Sequence, residues 1–112
     1  MGNEIIIFDN QQVKLEVNMQ DETVWLNTEQ MAQLFDRDYK TIRKYINNAL
    51  KEELNSQVVV ANIENTTQHG TINVKNHEHY NLDMIISVGY RVKSKRGITF
   101  RKWATEVLKE HK

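Results

Sequence analysis

Three lysines and one asparagine recur at helical spacing between residues 39 and 53. Lys40, Lys44, Asn47 and Lys51 follow one another at intervals of four, three and four residues in the run "YKTIRKYINNALKEEL". At 100° per residue they share one side of a helix, opposite an apolar face. Lysines can contact phosphates or guanine edges, and an asparagine can pair with adenine through two hydrogen bonds. The stripe is typical of a helix that reads the major groove of double-stranded DNA, although a solvated helix face has the same pattern.

A shorter helix is predicted immediately before this one. The run "EQMAQLF" places its apolar side chains at spacings of three and four, and Thr28 suits the N-cap. The helix should end at "DRD", and Asp38 is a natural N-cap for the second helix. Asp36 stands where a helix-turn-helix unit usually carries a left-handed glycine, and aspartate tolerates that conformation better than most residues. The two runs therefore predict a helix-turn-helix.

Alternating apolar residues predict β structure on both sides of the helix pair. Strands are expected near 4–8, 12–19 and 23–26, and a hairpin should pair 57–64 with 71–80. The last third reads as two helices joined by the basic loop "RVKSKRG", with Gly89 ending the first or allowing close packing. The predicted fold is α+β: a winged helix-turn-helix with an N-terminal β-meander or hairpin, a β-hairpin wing and two C-terminal helices. We expect one domain over residues 1–112.

The candidate DNA contacts lie on the outer side and first turn of the second helix. They are Arg37, Tyr39, Lys40, Thr41, Arg43, Lys44, Asn47 and Lys51. A second basic patch comes from the loop and the helix that follows it. It comprises Arg91, Lys93, Lys95, Arg96 and Arg101. This patch suits backbone binding to nucleic acid or to an acidic surface, and equally a solvated helix connection.

The charge of the chain is distributed unevenly although its formal net charge is zero. Residues 1–30 carry six acids and one base, a balance of −5, and residues 91–112 carry eight bases and two acids, a balance of +6. The local field rather than the net charge governs association with a charged partner. The basic end therefore favours a polyanion, and the acidic beginning favours a protein surface, so a protein–protein or dimerisation module is the alternative function.

The sequence points away from an enzyme. It contains no glycine-rich phosphate loop and no nucleophile elbow, and it has no cysteine. The pair His77 and His79 in "NHEHY" could share one side of a strand, but this spacing is too common by chance to predict a metal site. We expect no cofactor, no metal and no small-molecule substrate. Without a signal peptide or an apolar run long enough to span a bilayer, a cytoplasmic protein with no membrane contact is expected.

Three stretches resemble a known family. "NEIIIF", "ETVWLNTEQMAQLF" and "HYNLDMIISVGYRVKSKRGITFRKWATEVLKE" are similar to the RhuM family of bacterial virulence-associated proteins. The resemblance implies a longer bacterial protein with this region at its N-terminus, in some related chains joined to a Fic/DOC-type domain. It implies no catalytic residues. A targeting or regulatory role, such as transcription regulation, therefore depends on the helix pair, and a homodimer is compatible with a reader of two-fold DNA sites.

Overall fold

The computed structural model describes residues 4–52, 60–65 and 75–110. These residues form one antiparallel sheet and four helices, so the α+β prediction is confirmed. The strands are β1 (Glu4–Asp9), β2 (Lys14–Gln20), β3 (Thr23–Asn27), β4 (Val60–Asn65) and β5 (Lys75–Asn81). The helices are α1 (Thr28–Phe35), α2 (Tyr39–Glu52), α3 (Leu82–Val92) and α4 (Lys95–Glu110). Among the helices described, none is long and apolar enough to cross a lipid bilayer.

The five strands share a single sheet in the order β1-β2-β3-β5-β4. The first three form the expected meander, and β4 and β5 form the expected hairpin, with Val60 opposite Tyr80. The strand that precedes the helix pair, β3, is hydrogen-bonded to β5, where Leu26 lies opposite Tyr80. The hairpin therefore continues the same sheet as the meander. The predicted hairpin residues 57–59 and 71–74 lie outside the described residues.

Two strands lead directly into helices, and an asparagine caps each helix. The Asn27 side chain accepts a hydrogen bond from the Gln30 backbone N–H, and the Gln30 side chain accepts one from the Asn27 N–H, which completes a capping box. Asn81 caps α3 in the same way through the Met84 N–H. The prediction of Thr28 as the first cap is therefore wrong, because Thr28 is already the first helical residue.

The core lies between the sheet and the helices. The rings of Phe8, Phe100 and Trp103 pack edge-on or tilted, with centroids 5.1 to 5.5 Å apart, and join β1 to α4. Phe35 of α1 is buried where α3 and α4 cross, and a Cβ at Gly89 would lie only 3.1 Å from its ring. Gly89 thus allows close packing and does not end α3, which continues to Val92.

The expected basic loop is much shorter than the sequence suggested. Only Lys93 and Ser94 connect α3 to α4, because residues 91 and 92 belong to α3 and residues 95 to 97 to α4. Lys93 adopts a left-handed conformation with φ of 55°, and its N–H closes the end of α3 on the carbonyls of Gly89 and Tyr90. This is the usual way for a helix to satisfy its last carbonyls.

Candidate nucleic-acid interface

A three-residue turn joins α1 to α2, as the sequence predicted. Asp36 takes the left-handed conformation, with φ 57° and ψ 50°, and its N–H donates to the carbonyls of Ala32 and Gln33. The Arg37 N–H donates to the Ala32 carbonyl at 3.1 Å, so the end of α1 forms a Schellman-type turn. Asp38 precedes α2, and its carbonyl accepts from the Ile42 N–H while its carboxylate accepts from the Thr41 hydroxyl.

The two sides of α2 have opposite environments. Ile42, Ile46 and Ala49 are fully buried against the core. The outer side is exposed to solvent and carries the predicted stripe. Its exposed residues are Tyr39, Lys40, Lys44, Asn47 and Lys51. The helix therefore presents three ammonium groups and one amide on a single surface, while its other surface is fixed in the protein.

Arg43 is half-buried and points toward the sheet. Its guanidinium donates to the Tyr80 hydroxyl at 2.7 Å and to the Thr28 hydroxyl at 3.4 Å. Tyr80 in turn donates to a carboxylate oxygen of Glu78 at 2.9 Å, while its ring is buried in the core. These contacts connect α2 to β5 and to the start of α1, so Arg43 is already held by the protein at a position predicted to contact DNA.

Burial and hydrogen bonding both shift the pKa values of Tyr80 and Arg43. Burial raises the pKa of Tyr80, and although the neighbouring guanidinium favours the phenolate, the pKa remains above its ordinary value. For Arg43, burial lowers the pKa, but the hydrogen bond with Tyr80 and the nearby tyrosine and glutamate raise it, and the net shift is upward. The neutral phenol and the guanidinium are thus the stable forms in the folded protein.

A cleft of about 440 Å³ opens beside this cluster, between the first turns of α1 and α2 and strand β5. Its lining includes Arg43 together with the carboxylates of Glu29 and Glu78. Because two carboxylates flank one guanidinium, the electrostatics of the cleft do not favour a phosphate. The exposed stripe on α2 is therefore the better surface for a polyanion.

Arg37 and Arg96 lie where α1 ends, and both donate to backbone carbonyls. Arg37 reaches the carbonyls of Phe35 and Asp36 and, at 3.2 Å, that of Val92 at the end of α3. Arg96 donates at 3.3 Å to the carbonyls of Gln33 and Leu34. Helix ends leave such carbonyls without intrahelical partners and favour positive charge. Both arginines therefore stabilise the α1 terminus.

The remaining members of the second basic patch divide into two groups. Arg91 forms an ion pair with Glu52 at 2.9 Å and so ties the end of α2 to α3. Lys93, Lys95 and Arg101 are exposed at the rim of a groove of about 600 Å³ between α3 and α4. The side chains that give the groove its apolar character are exposed too. They are Ile86, Tyr90 and Ile98.

One member of the histidine pair, His79, is not exposed. His79 is fully buried, opposite Asn27 in the sheet, and the side chain of His77 lies outside the described part of the chain. Among the residues whose side chains the structure describes, no three His, Asp or Glu lie close enough together to hold a metal ion.

The structure brings together residues that the sequence did not connect. The Tyr80–Arg43 contact joins positions 37 residues apart, and Arg96 reaches α1 across more than 60 residues. An arginine in a basic run shows its charge but not its partner, so no pattern in the sequence indicates these contacts. The sequence predicted only that Tyr80 lies in a strand, because the residues before it alternate between apolar and polar.

The comparisons with known proteins give one finding. Residues 58–112 match the model of the virulence protein RhuM family. No curated protein and no solved structure gives a significant match. The matched range contains the longest of the three quoted stretches and confirms that resemblance. The two shorter stretches and the whole helix pair lie before residue 58, so the family says nothing about the α2 stripe. Residues 58–112, a range that includes β4, β5, α3 and α4, are therefore similar to the virulence protein RhuM family.

Proposed function

We propose that the chain is a DNA-binding domain of the winged helix-turn-helix type, which places α2 in the major groove of double-stranded DNA. The order of elements supports this. A strand, β3, precedes the helix pair, a hairpin follows it, and the second hairpin strand returns between β3 and β4. The buried face of α2 packs against α1 and α3, and its outer side stays accessible.

The observation that carries the proposal is the exposed cationic side of α2. Lys40, Lys44 and Lys51 are exposed on a helix whose opposite face is fully buried. Glu52, the acid within the described helix, is paired with Arg91 and so compensates less of this charge. Asp36 and Asp38 lie in the preceding turn, outside the stripe. The stripe therefore has the charge that phosphate binding requires.

We assign different tasks to the candidate residues. The lysines of the stripe contact phosphates, which sets the position of the helix on the duplex. Asn47 reads an adenine edge from the middle of the stripe. Tyr39 and Thr41 lie in the first turn, near the backbone N–H groups that favour a phosphate. Arg43 and Arg37 act as positioning residues, since the contacts described above hold them against the protein. The domain would serve as the targeting or regulatory module of a larger bacterial protein in the cytoplasm.

The test is a salt titration of binding to random duplex DNA, followed by fluorescence anisotropy. Each phosphate contact contributes about 0.9 to the slope of log K against log salt, so the three lysines of the stripe give a slope near −2.7. A fourfold rise in salt should weaken binding about 40-fold in the wild type and about 12-fold in Lys44→Ala. Lys14→Ala is the matched control, because Lys14 is an exposed lysine on β2.

Base reading is tested separately. After selection of preferred fragments from random DNA, Asn47→Ala should bind random and selected duplexes with more nearly equal affinity, while its salt slope stays unchanged. Absence of binding to any duplex at low salt, or an equal loss in Lys14→Ala and Lys44→Ala, would refute the proposed function.

A protein-binding module is the second candidate, and the groove between α3 and α4 favours it. Tyr90 is 84% exposed and Ile98 53% exposed, which is unusual for large apolar side chains near a groove. The described residues that line the groove include three cations and no acid. A partner with apolar and acidic side chains on one surface would fit it. Failure of DNA binding together with loss of a protein contact in Tyr90→Ala would favour this function.

A further inference from the structure

Strand β1 lies at one edge of the sheet, with β2 as its neighbour on one side. An edge strand leaves a row of backbone N–H and C=O groups that can pair with another strand. Proteins usually protect such an edge with charged side chains, especially lysine, with proline, with a bulge or with a covering segment. The sequence of β1, "EIIIFD", has acids only at its two ends and contains neither lysine nor proline, and its six residues pair in regular register with β2.

The outward face of β1 is apolar. Ile5 is 57% exposed and Ile7 45% exposed, whereas Phe8, on the other face, is buried in the core. Two exposed isoleucines next to each other on one strand face are poorly explained by the fold of a single chain, because they add nothing to its core. They gain apolar neighbours if a second strand pairs with the edge of β1 and places its own side chains beside them.

We propose that β1 is a homodimer interface, in which the β1 strands of two copies pair antiparallel across a two-fold axis and join the two sheets into one continuous sheet. Both copies use the same surface, so each contact between a residue of one copy and a residue of the other occurs twice. In antiparallel pairing of two identical strands, the residue numbers of every facing pair add to the same sum. This sum must be even, because side chains alternate between the two sides of a strand and facing side chains lie on the same side. The proposal concerns assembly and does not depend on DNA binding.

The side chains select one register among those that symmetry allows. When the paired residue numbers add to 12, Ile5 of one copy faces Ile7 of the other, and the two-fold axis makes a cluster of four isoleucines. The same register places Glu4 opposite Phe8, so no acid faces an acid. A sum of 14 would instead place Ile5 opposite Asp9. The register with the sum of 12 is therefore the one in which both exposed isoleucines of each copy face an isoleucine.

The dimer should be weak and depend on concentration. A contact of six residues per copy is smaller than a standard interface of about 1,600 Å². We expect a dissociation constant in the micromolar range. Sedimentation equilibrium of the wild-type chain over increasing concentrations should show a monomer–dimer equilibrium, and Ile5→Lys should weaken it about tenfold or more, because each substitution removes both symmetry-related contacts.

Ile98→Lys is the matched control, since Ile98 is 53% exposed on α4, nearly the same fraction as Ile5. It should dimerise like the wild type. A wild-type chain that stays monomeric at all concentrations overturns the proposal. So does a dimer that Ile98→Lys dissociates and Ile5→Lys does not, because the interface would then be the groove between α3 and α4.

The register has its own test, since the chain contains no cysteine. Ile5→Cys mixed with Ile7→Cys should form a disulfide-linked dimer under mild oxidation, well above the yield of either variant alone. Ile98→Cys gives the background from random collisions. Equal yields in the mixture and in the Ile98→Cys control, or efficient self-crosslinking of Ile5→Cys, would refute the proposed pairing.

Discussion

Replacing Tyr80 with phenylalanine removes the hydroxyl that connects α2 to β5 while it keeps the buried ring. That hydroxyl accepts a hydrogen bond from Arg43 at 2.7 Å and donates one to Glu78 at 2.9 Å. Because the ring itself is 1% exposed, phenylalanine fills the same space and creates no cavity. The effect on stability should therefore come from the two hydrogen bonds.

The expected loss follows from the surroundings of the two partners. A hydrogen bond to a charged group contributes about 1.5–3 kcal/mol when it is buried. Glu78 is exposed, so water can replace the hydroxyl there, and the Arg43 bond should dominate. We expect Tyr80→Phe to lower the free energy of unfolding by about 2 kcal/mol. For a domain of this size, each kcal/mol corresponds to roughly 3–6 °C in Tm, which gives a decrease of about 6–12 °C.

The assay is urea unfolding followed by the fluorescence of Trp25 and Trp103, with the slope of the transition compared between variants. Tyr90→Phe is the matched control, because Tyr90 is exposed and its hydroxyl faces solvent, and it should change stability by less than about 0.5 kcal/mol. A double-mutant cycle with Arg43→Met isolates the coupling between the two side chains.

Two results would refute this reasoning. Tyr80→Phe could be as stable as the Tyr90→Phe control, in which case the hydroxyl contributes nothing. Alternatively, the losses in Tyr80→Phe and Arg43→Met could simply add, which would show that the two residues do not interact in solution. A further consequence concerns DNA: a positioning role predicts that Arg43→Met lowers stability while the salt slope of DNA binding stays at its wild-type value.

Three further changes should be measurable by the same unfolding assay. Because burial raises the pKa of Tyr80 above its unfolded value near 10, the stability that its neutral form provides is complete below about pH 10 and decreases as pH rises further; this decrease should be smaller in Tyr80→Phe. Asp36→Gly should stabilise the protein by about 0.5–1 kcal/mol, since glycine adopts the left-handed conformation more readily, whereas Asp38→Gly should not stabilise it. Asn27→Ala removes the capping box of α1 and should cost about 1–2 kcal/mol, while Asn47→Ala on the exposed side of α2 should cost less than about 0.5 kcal/mol.

Local features of the sequence predicted the elements well. The break between α1 and α2 follows from "DRD", because aspartate leaves helical geometry at low cost, and Asp36 does adopt the left-handed conformation. The apolar spacing of α2 predicted which side would be buried. Strand limits differ by one or two residues, as for β2, which begins at Lys14 instead of residue 12. Hydrophobic periodicity and turn chemistry act over a few residues, so they determine where a helix or strand begins and ends and which of its sides is buried.

The roles of the arginines could not be predicted in the same way. Arg37 and Arg43 were assigned to DNA contacts from their place at the start of the second helix, and Arg91 and Arg96 to a basic patch that suited nucleic acid, an acidic surface or solvent. The fold gives each of them a polar partner within the protein, on another element or at the end of a helix. The lysines of α2 stayed exposed, since helical spacing alone places them opposite the buried face.

The position of β5 in the sheet has a consequence for how the chain can be divided. Its two neighbours are β4, inside the range that matches the RhuM family, and β3, which lies more than thirty residues before that range begins. A fragment cut to residues 58–112 would leave β5 with an open backbone and would uncover the core that Phe8 and Phe35 complete. We therefore expect the stretch that matches the family not to fold on its own, so that an expression boundary or fusion junction should keep the first fifty residues attached.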